Sequence, residues 1–301
     1  MMLAPVRLAK DPFRPGHHLL VLCEAMCFDK DDQLVPHENT KKRWACRDAV
    51  GALEKEEPLY GLEQELQLLD SGGIPLGWPH PGQPPLLHPG YIPYYQSVGG
   101  DLAFGRPVME AAYRAWLHAG LGIFGLAGEV NPGQWEWQSS PLPGLQAADE
   151  LWLARFILHR VCEEFGVKAS FSAKAIASED WPGNGVHINF STAAMRAEGG
   201  LEHMKAAIKC LERDHASLQA NHYCLDSATQ KLRMAEHEHA FCGGSFEKFS
   251  WGVDDRQLSV RIPKMVAVAG KGYLEDRRPA GDCDPYDAIA GFTKSVASHP
   301  L

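Results

Sequence analysis

The sequence predicts an α+β fold, on three observations. Helix-like and strand-like stretches alternate irregularly along the 301 residues, not as a regular strand–helix repeat. Many of the strand-like stretches carry polar residues, which points to a curved sheet. No internal repeat and no low-complexity tract breaks the chain into modules.

Composition bounds the function. Hydrophobic residues make up 45%, enough for one large core or two unequal domains. The net charge is −9 and no basic run occurs, so nucleic acid is not an expected partner. The longest apolar runs, such as Leu19–Cys23, are too short to span a bilayer, and no transmembrane segment is expected. Residues 1–10 lack the apolar stretch of a signal peptide. The eight cysteines include no CxxC pair and read as reduced thiols of an intracellular protein.

The elements follow in order. Residues 18–27 (HLLVLCEAMC) read as a buried strand and 40–55 as an amphipathic helix with Thr40 as N-cap. A strand is expected at 61–69. Seven prolines within 73–93 make that stretch a long irregular loop. A helix over 106–119 opens on Pro107. Another, over 147–165, puts Leu151, Ala154, Leu158, Val161 and Phe165 on one face. Strands are expected near 168–175 and 185–190, a helix over 200–218, and a mobile loop over 234–250. A strand at 257–262 and a helix from Asp284-Pro285 complete the chain.

Glu63 and Glu65 lie two apart in a strand, so both carboxylates share one face while Leu62, Gln64 and Leu66 take the other. Adjacent carboxylates repel unless a cation lies between them; alternatively the pair is the solvated face of an edge strand. Glu136, between Trp135 and Trp137, faces a cavity if the tryptophans are core, or else an interface rim. His187 in GNGVHINFS is either a ligand or a satisfied core histidine. Glu275 with Asp276, Arg277 and Arg278 is either a site or a surface charge cluster. Arg256 and Arg261 flank a strand and, five apart, face opposite sides of a regular one; a shared target requires a bend. Arginine suits carboxylate and phosphate through its bidentate fork. Together with Glu129, the carboxylates and the imidazole form a ligand set for Mg²⁺ or Mn²⁺ rather than zinc.

These residues sit in seven ordered motifs: YGLEQELQL (60–68), PYYQSVGGDLAFGR (93–106), GEVNPGQWEWQ (128–138), LWLARFILHRVCEEFGV (151–167), GNGVHINFST (183–192), SVRIPK (259–264) and GKGYLEDRRPAGDCDP (270–285). With KDPFRPG at 10–16, the chain resembles glutamine synthetases of the eukaryotic-type class along nearly its whole length. The resemblance implies a glutamine synthetase catalytic domain over 39–301, a curved antiparallel sheet with helices of guanido-kinase-like form. It also implies that 1–38 are a remnant of the family's N-terminal β-grasp domain. That leaves the strand at 18–27 without most of its sheet, and the site without an ammonium-binding aspartate from the neighbouring subunit.

The implied reaction is ATP-dependent joining of glutamate and ammonia through γ-glutamyl phosphate. The implied ligands for two or three Mg²⁺ or Mn²⁺ ions are Glu63, Glu65, Glu129, Glu136, His187 and Glu275. Arg256, Arg277 and a flap glutamate at Glu238, next to His237, are the implied catalytic residues. Trp181, Gly183, Tyr95, Arg256 and Arg277 are implied for glutamate and ammonium, and Glu63, Asn189, Ser191, Arg261 and Tyr273 for ATP. A homo-oligomer or a subunit of a larger assembly is implied, in the cytoplasm or an organelle. Four departures stand out. The segment from Asp226 to Arg256 is longer than in the family. Gln230-Lys231 stand where the family has paired arginines, Asp254-Asp255 precede Arg256, and Pro182 replaces an asparagine. They leave two alternatives open: a non-catalytic structural subunit, or a ligase joining glutamate to another amine.

Overall fold

The computed structural model describes residues 1–79, 93–177, 180–235 and 244–298. In chain order the strands are β1 (Met2–Lys10), β2 (Leu19–Phe28), β3 (Leu34–Pro36), β4 (Leu59–Leu69), β5 (Ile123–Gly128), β6 (Gln134–Ser139), β7 (Lys168–Ser170), β8 (Val186–Ser191), β9 (Trp251–Val253), β10 (Val260–Ile262) and β11 (Leu274–Asp276). The α-helices are α1 (Lys41–Ala52), α2 (Arg106–Ala119), α3 (Gly144–Phe165), α4 (Ala193–Arg196), α5 (Gly200–Arg213), α6 (His215–Asn221), α7 (Ser227–Arg233), α8 (Lys264–Ala269) and α9 (Pro285–Ala297).

Two sheets form. The larger runs β5-β6-β4-β8-β11-β10-β9, with β7 continuing along β4 beyond the end of β8. Its pairs are antiparallel except β9 with β10, which run parallel across the short connection 254–259. The period of two decides which face is core. Leu62, Gln64 and Leu66 of β4, Trp135 and Trp137 of β6, and Ile188 and Phe190 of β8 are all buried on the helix side. Trp137 meets Trp116 of α2 at 4.9 Å between ring centroids, and Phe190 meets Phe292 of α9 at the same distance. The alternate residues Glu63, Glu65 and Glu136 are left for the opposite face.

The smaller sheet has the order β1-β2-β3. The strand expected to be left without most of its sheet, β2, is hydrogen-bonded to β1 along one edge and to the three-residue β3 along part of the other. Residues 2–10 alternate only weakly between buried and exposed positions, so period two gives β1 little signal. Two ion-paired arginines fasten this sheet to α3. Arg43 of α1 bridges Glu24 of β2 and Asp149, and Arg7 of β1 reaches Glu150.

Local expectations hold in most places. Pro107 opens α2, and Asp284 caps α9 by accepting from the Tyr286 amide. Three do not. Thr40 precedes α1 but makes no capping bond; its hydroxyl donates instead to the carbonyls of Ala25 and His37. The helix expected over 200–218 is broken at Asp214 into α5 and α6. Phe165, at the end of α3, is 44% exposed, because the helix outruns the core. The loop at 73–93 and the segment 234–250 lie partly outside the described residues. Among the described residues no helix is long and apolar enough to cross a membrane.

One buried cation locks the core to the site. Arg155 of α3, 5% exposed, donates twice to Gln64 Oε1 (2.8 and 2.7 Å) and to the carbonyls of Gly281 and Cys283. Burial pushes its pKa down, which the nearby groups of Cys283, Asp284 and Asp282 only partly offset. Gln64 lies between Glu63 and Glu65, so this fork fixes the strand that carries them. Replacing it by Arg155→Met should cost about 3 kcal/mol in urea unfolding, because several buried acceptors lose their donor.

Candidate active site

A cavity of about 880 Å³ opens against the face of the large sheet opposite the tryptophans. Register brings the expected residues together. Glu65 lies directly across from Glu136 on β6, Glu63 across from His187 on β8, and Glu275 of β11 between Asn189 of β8 and Arg261 of β10. Two carboxylates placed opposite each other in an antiparallel pair destabilise it unless something positive intervenes.

His187, 3% exposed, is the hub. Its Nδ1 lies 3.5 Å from Glu63 Oε2 and 3.3 Å from Glu275 Oε1, and its Nε2 lies 3.9 Å from Glu65 Oε1. Two triads, Glu63–His187–Glu275 and Glu65–Glu136–His187, each hold their ligand atoms within 4.8 Å of one another. Asn189 donates to Glu63 (2.7 Å), the Gly185 amide to Glu65 (2.5 Å), and Gln138 to Glu136 (2.8 Å). Glu129 ends the β5 side of the turn into β6. That turn is tied to 182–184 by Asn131 donating to the Pro182 carbonyl and by Gln134 donating to the Gly183 carbonyl and to Asn184.

The electrostatics match a cation site. Burial, then the charges of Glu65 and Glu136, push the Glu129 carboxyl well above its usual range. Burial, then Glu63 and Glu65, push Glu136 to about 8. Burial and Arg277 depress His187, but hydrogen bonds to Glu275 and Glu63 outweigh them and raise it to about 9. Glu275 behaves in the opposite sense. Burial disfavours its charge, yet the His187 hydrogen bond, Arg277 and Arg261 hold it well below the usual carboxylate range. It is fully buried, sealed between Arg261 Nε (2.5 Å) and Arg277 Nη1 (2.7 Å). Oxygen donors with a single imidazole, crowded until two carboxyls hold protons, fit a hard divalent cation such as Mg²⁺ or Mn²⁺.

Most of the expected residues line this cavity: Glu63, Glu65, Tyr95, Glu129, Glu136, Gly183, His187, Asn189, Ser191, Arg256, Arg261, Tyr273 and Arg277. Arg256 and Arg261 share it because Arg256 sits on the 254–259 connection, which turns at Asp254 (φ 61°), and not in a regular strand. Arg256 Nη1 approaches the Tyr95 hydroxyl at 3.4 Å. Trp181 is not among the lining residues. Its ring packs on Trp78, 5.0 Å between centroids, in a small satellite core. His237 and Glu238 lie outside the described residues.

Gln138 and Arg233 are among the lining residues that went unread in the sequence. Gln138 shares the face of Glu136 by strand period and was available to that argument. Arg233, 2% exposed, enters the cavity from α7, whereas Lys231 turns outward to Glu247 at 3.0 Å. Lys231, which stands where the family has paired arginines, is therefore not among the lining residues. Gln230 and Arg233 are one helical turn apart and both buried, and that spacing was the available signal.

At neutral pH, Mn²⁺ binding should release protons, since Glu129 and Glu136 must ionise to ligate it. Both carboxyls are raised, so affinity should climb as pH rises toward 8. Calorimetry in buffers of different ionisation enthalpy measures the proton count. A buffer-independent heat would contradict the protonated carboxyls.

Comparison with known proteins agrees with this geometry. Residues 95–209 match the family pattern described as "Glutamine synthetase, catalytic domain". The "Probable glutamine synthetase" of Caenorhabditis elegans is 44% identical over 295 residues, covering 98% of this chain and 77% of the relative. "Glutamine synthetase 2 cytoplasmic" of Drosophila melanogaster is 39% identical over 294 residues, with 98% and 76% covered. The "Glutamine synthetase" of Homo sapiens is 42% identical over 295 residues, again with 98% and 76% covered. Identity of this extent over almost the whole chain, with the acidic cavity intact, makes the chain a member of the glutamine synthetase family.

Proposed function

We propose that this cavity is the active site of an ATP-dependent glutamate–ammonia ligase, forming glutamine through γ-glutamyl phosphate. The observation that carries the reading is the carboxylate–imidazole cluster ringed by Arg256, Arg261 and Arg277. Phosphoryl transfer is mainly positioning and charge neutralisation, and this site concentrates groups for both.

In this reading Glu63, Glu65, Glu129, Glu136, His187 and Glu275 hold two or three Mg²⁺ or Mn²⁺ ions, which neutralise phosphate charge when bound. Asn189, Ser191, Tyr273 and Arg261, all lining the cavity, orient the nucleotide. Arg256 and Arg277 hold the carboxylates of glutamate near Gly183, with Tyr95 beside Arg256. Trp181, packed on Trp78 in the satellite core, directly precedes Pro182 and Gly183 and contributes to the glutamate end through that turn. Arg277 is anchored for its task by Glu275 and by donating from Nε to the Arg256 carbonyl at 3.1 Å. One fixed guanidinium thereby aligns both arms of the substrate grip. Glu238 acts as the proton acceptor for ammonium. Residues 1–38 and 39–301 are the two structural units, and the cytoplasm is the compartment, as the Drosophila relative's name has it.

The test is glutamine formation from ATP, glutamate and ammonium with Mg²⁺ or Mn²⁺, read by mass spectrometry. The Glu63→Ala variant should lose at least about 100-fold, the upper end of what removing an outer partner of a metal ligand costs. A folded protein that makes no glutamine in either form would overturn the reading.

A further inference from the structure

Arg233 is buried beside the cavity, yet it projects from a helix that shares no strand pairing with the metal-site strands. Its guanidinium donates from Nη2 to the Arg277 carbonyl (3.1 Å) and from Nη1 to the Arg278 carbonyl (2.9 Å). In a strand, successive carbonyls point in opposite directions. Two that converge on one planar fork mark the place where the chain has left β11, which ends at Asp276. The fork geometry of arginine meets both carbonyls at once, which a lysine cannot do with equal rigidity. Gln230, one turn earlier on α7, adds a bond to the Arg278 carbonyl at 2.7 Å.

The consequence falls on the two arginines that follow β11. Arg278 turns away from the cavity into a fully buried pair with Asp276, beneath the ring of Tyr223. Arg277 turns toward the cavity, against Glu275 and within 3.5 Å of His187. The facing segment makes room for the fork. A Cβ on Gly185 would lie 2.3 Å from Arg233 Nη2 and 3.1 Å from His187 Nε2, so only glycine lets the guanidinium lie there.

We propose that Arg233 is a positioning residue for the ligase reaction. By gripping the carbonyls of Arg277 and Arg278, it sets the turn that aims the Arg277 guanidinium into the glutamate end of the cavity. The proposal rests on the function proposed above for its kinetic assay alone. Its effect runs through Arg277 and is selective: it concerns the amino-acid substrate and not the nucleotide.

The test combines kinetics and a crystal structure. Arg233→Met should raise the glutamate KM or lower kcat by about 10-fold, as loss of an outer partner does elsewhere, and leave the ATP KM within about twofold. In an Arg277→Lys background the same change should add no further loss. Arg233→Lys, which retains a donor, should fall between wild type and Arg233→Met, and it carries the test if Arg233→Met fails to fold. In the variant structure the Arg277 guanidinium should leave Glu275 by about 1 Å or more. Equal losses in both backgrounds, or an unmoved Arg277, would overturn the proposal. Absence of glutamine from the wild-type chain would instead count against the function, and the position of Arg277 would still decide the role of Arg233.

Discussion

Carboxylates crowded onto one face of a sheet cannot all be charged without cations, and most of this molecule is arranged around that constraint. The strand period sends leucine, glutamine and tryptophan to one side of β4 and β6 and glutamate to the other. Cross-strand register then sets Glu65 against Glu136 and Glu63 against His187. Three responses to the crowding coexist. The Glu129 and Glu136 carboxyls are pushed toward their protonated forms, Glu275 is neutralised by Arg261 and Arg277, and the His187 imidazole is pushed up by its acidic neighbours. Each response would be relieved or redirected by a divalent ion, so the protein spends its arginines where protonation alone does not suffice.

The core side makes this arrangement tolerable. Trp135 and Trp137 are buried beneath the strand that carries Glu136, and Arg155 fixes Gln64 between the two glutamates of β4. A charged cluster on a flexible scaffold would relax by spreading apart. Here the backbone cannot yield, so electrostatic strain is retained as affinity for a cation.

Much of this was legible in the sequence because it depends on short-range periodicity. The two-residue spacing of Glu63 and Glu65, and tryptophans either side of Glu136, suffice to place those carboxylates. Tertiary contacts decided the features that sequence alone misplaced. Arg256 and Arg261 meet because the chain turns at Asp254, which no strand periodicity encodes. Lys231 stands where the family has paired arginines, but the phase of α7 turns it outward and Arg233 inward. The Thr40 hydroxyl found the carbonyls of Ala25 and His37 before it could cap a helix. Trp181 lies in a glycine-bearing motif of the site, yet its ring is held by Trp78, a residue far away in sequence.

The placement of β4 has a consequence for motion. Its backbone is hydrogen-bonded along one edge to β6 and along the other to β8 and then β7. Its amides therefore have no local route to solvent. Opening them requires separating the central strands of the sheet, an event close in free energy to unfolding the whole domain. In hydrogen exchange, residues 61–67 belong with the slowest-exchanging amides of the chain. The carboxylates of Glu63 and Glu65 thus sit on the part of the backbone that is last to let go, and a partly opened molecule that has frayed elsewhere still presents them intact.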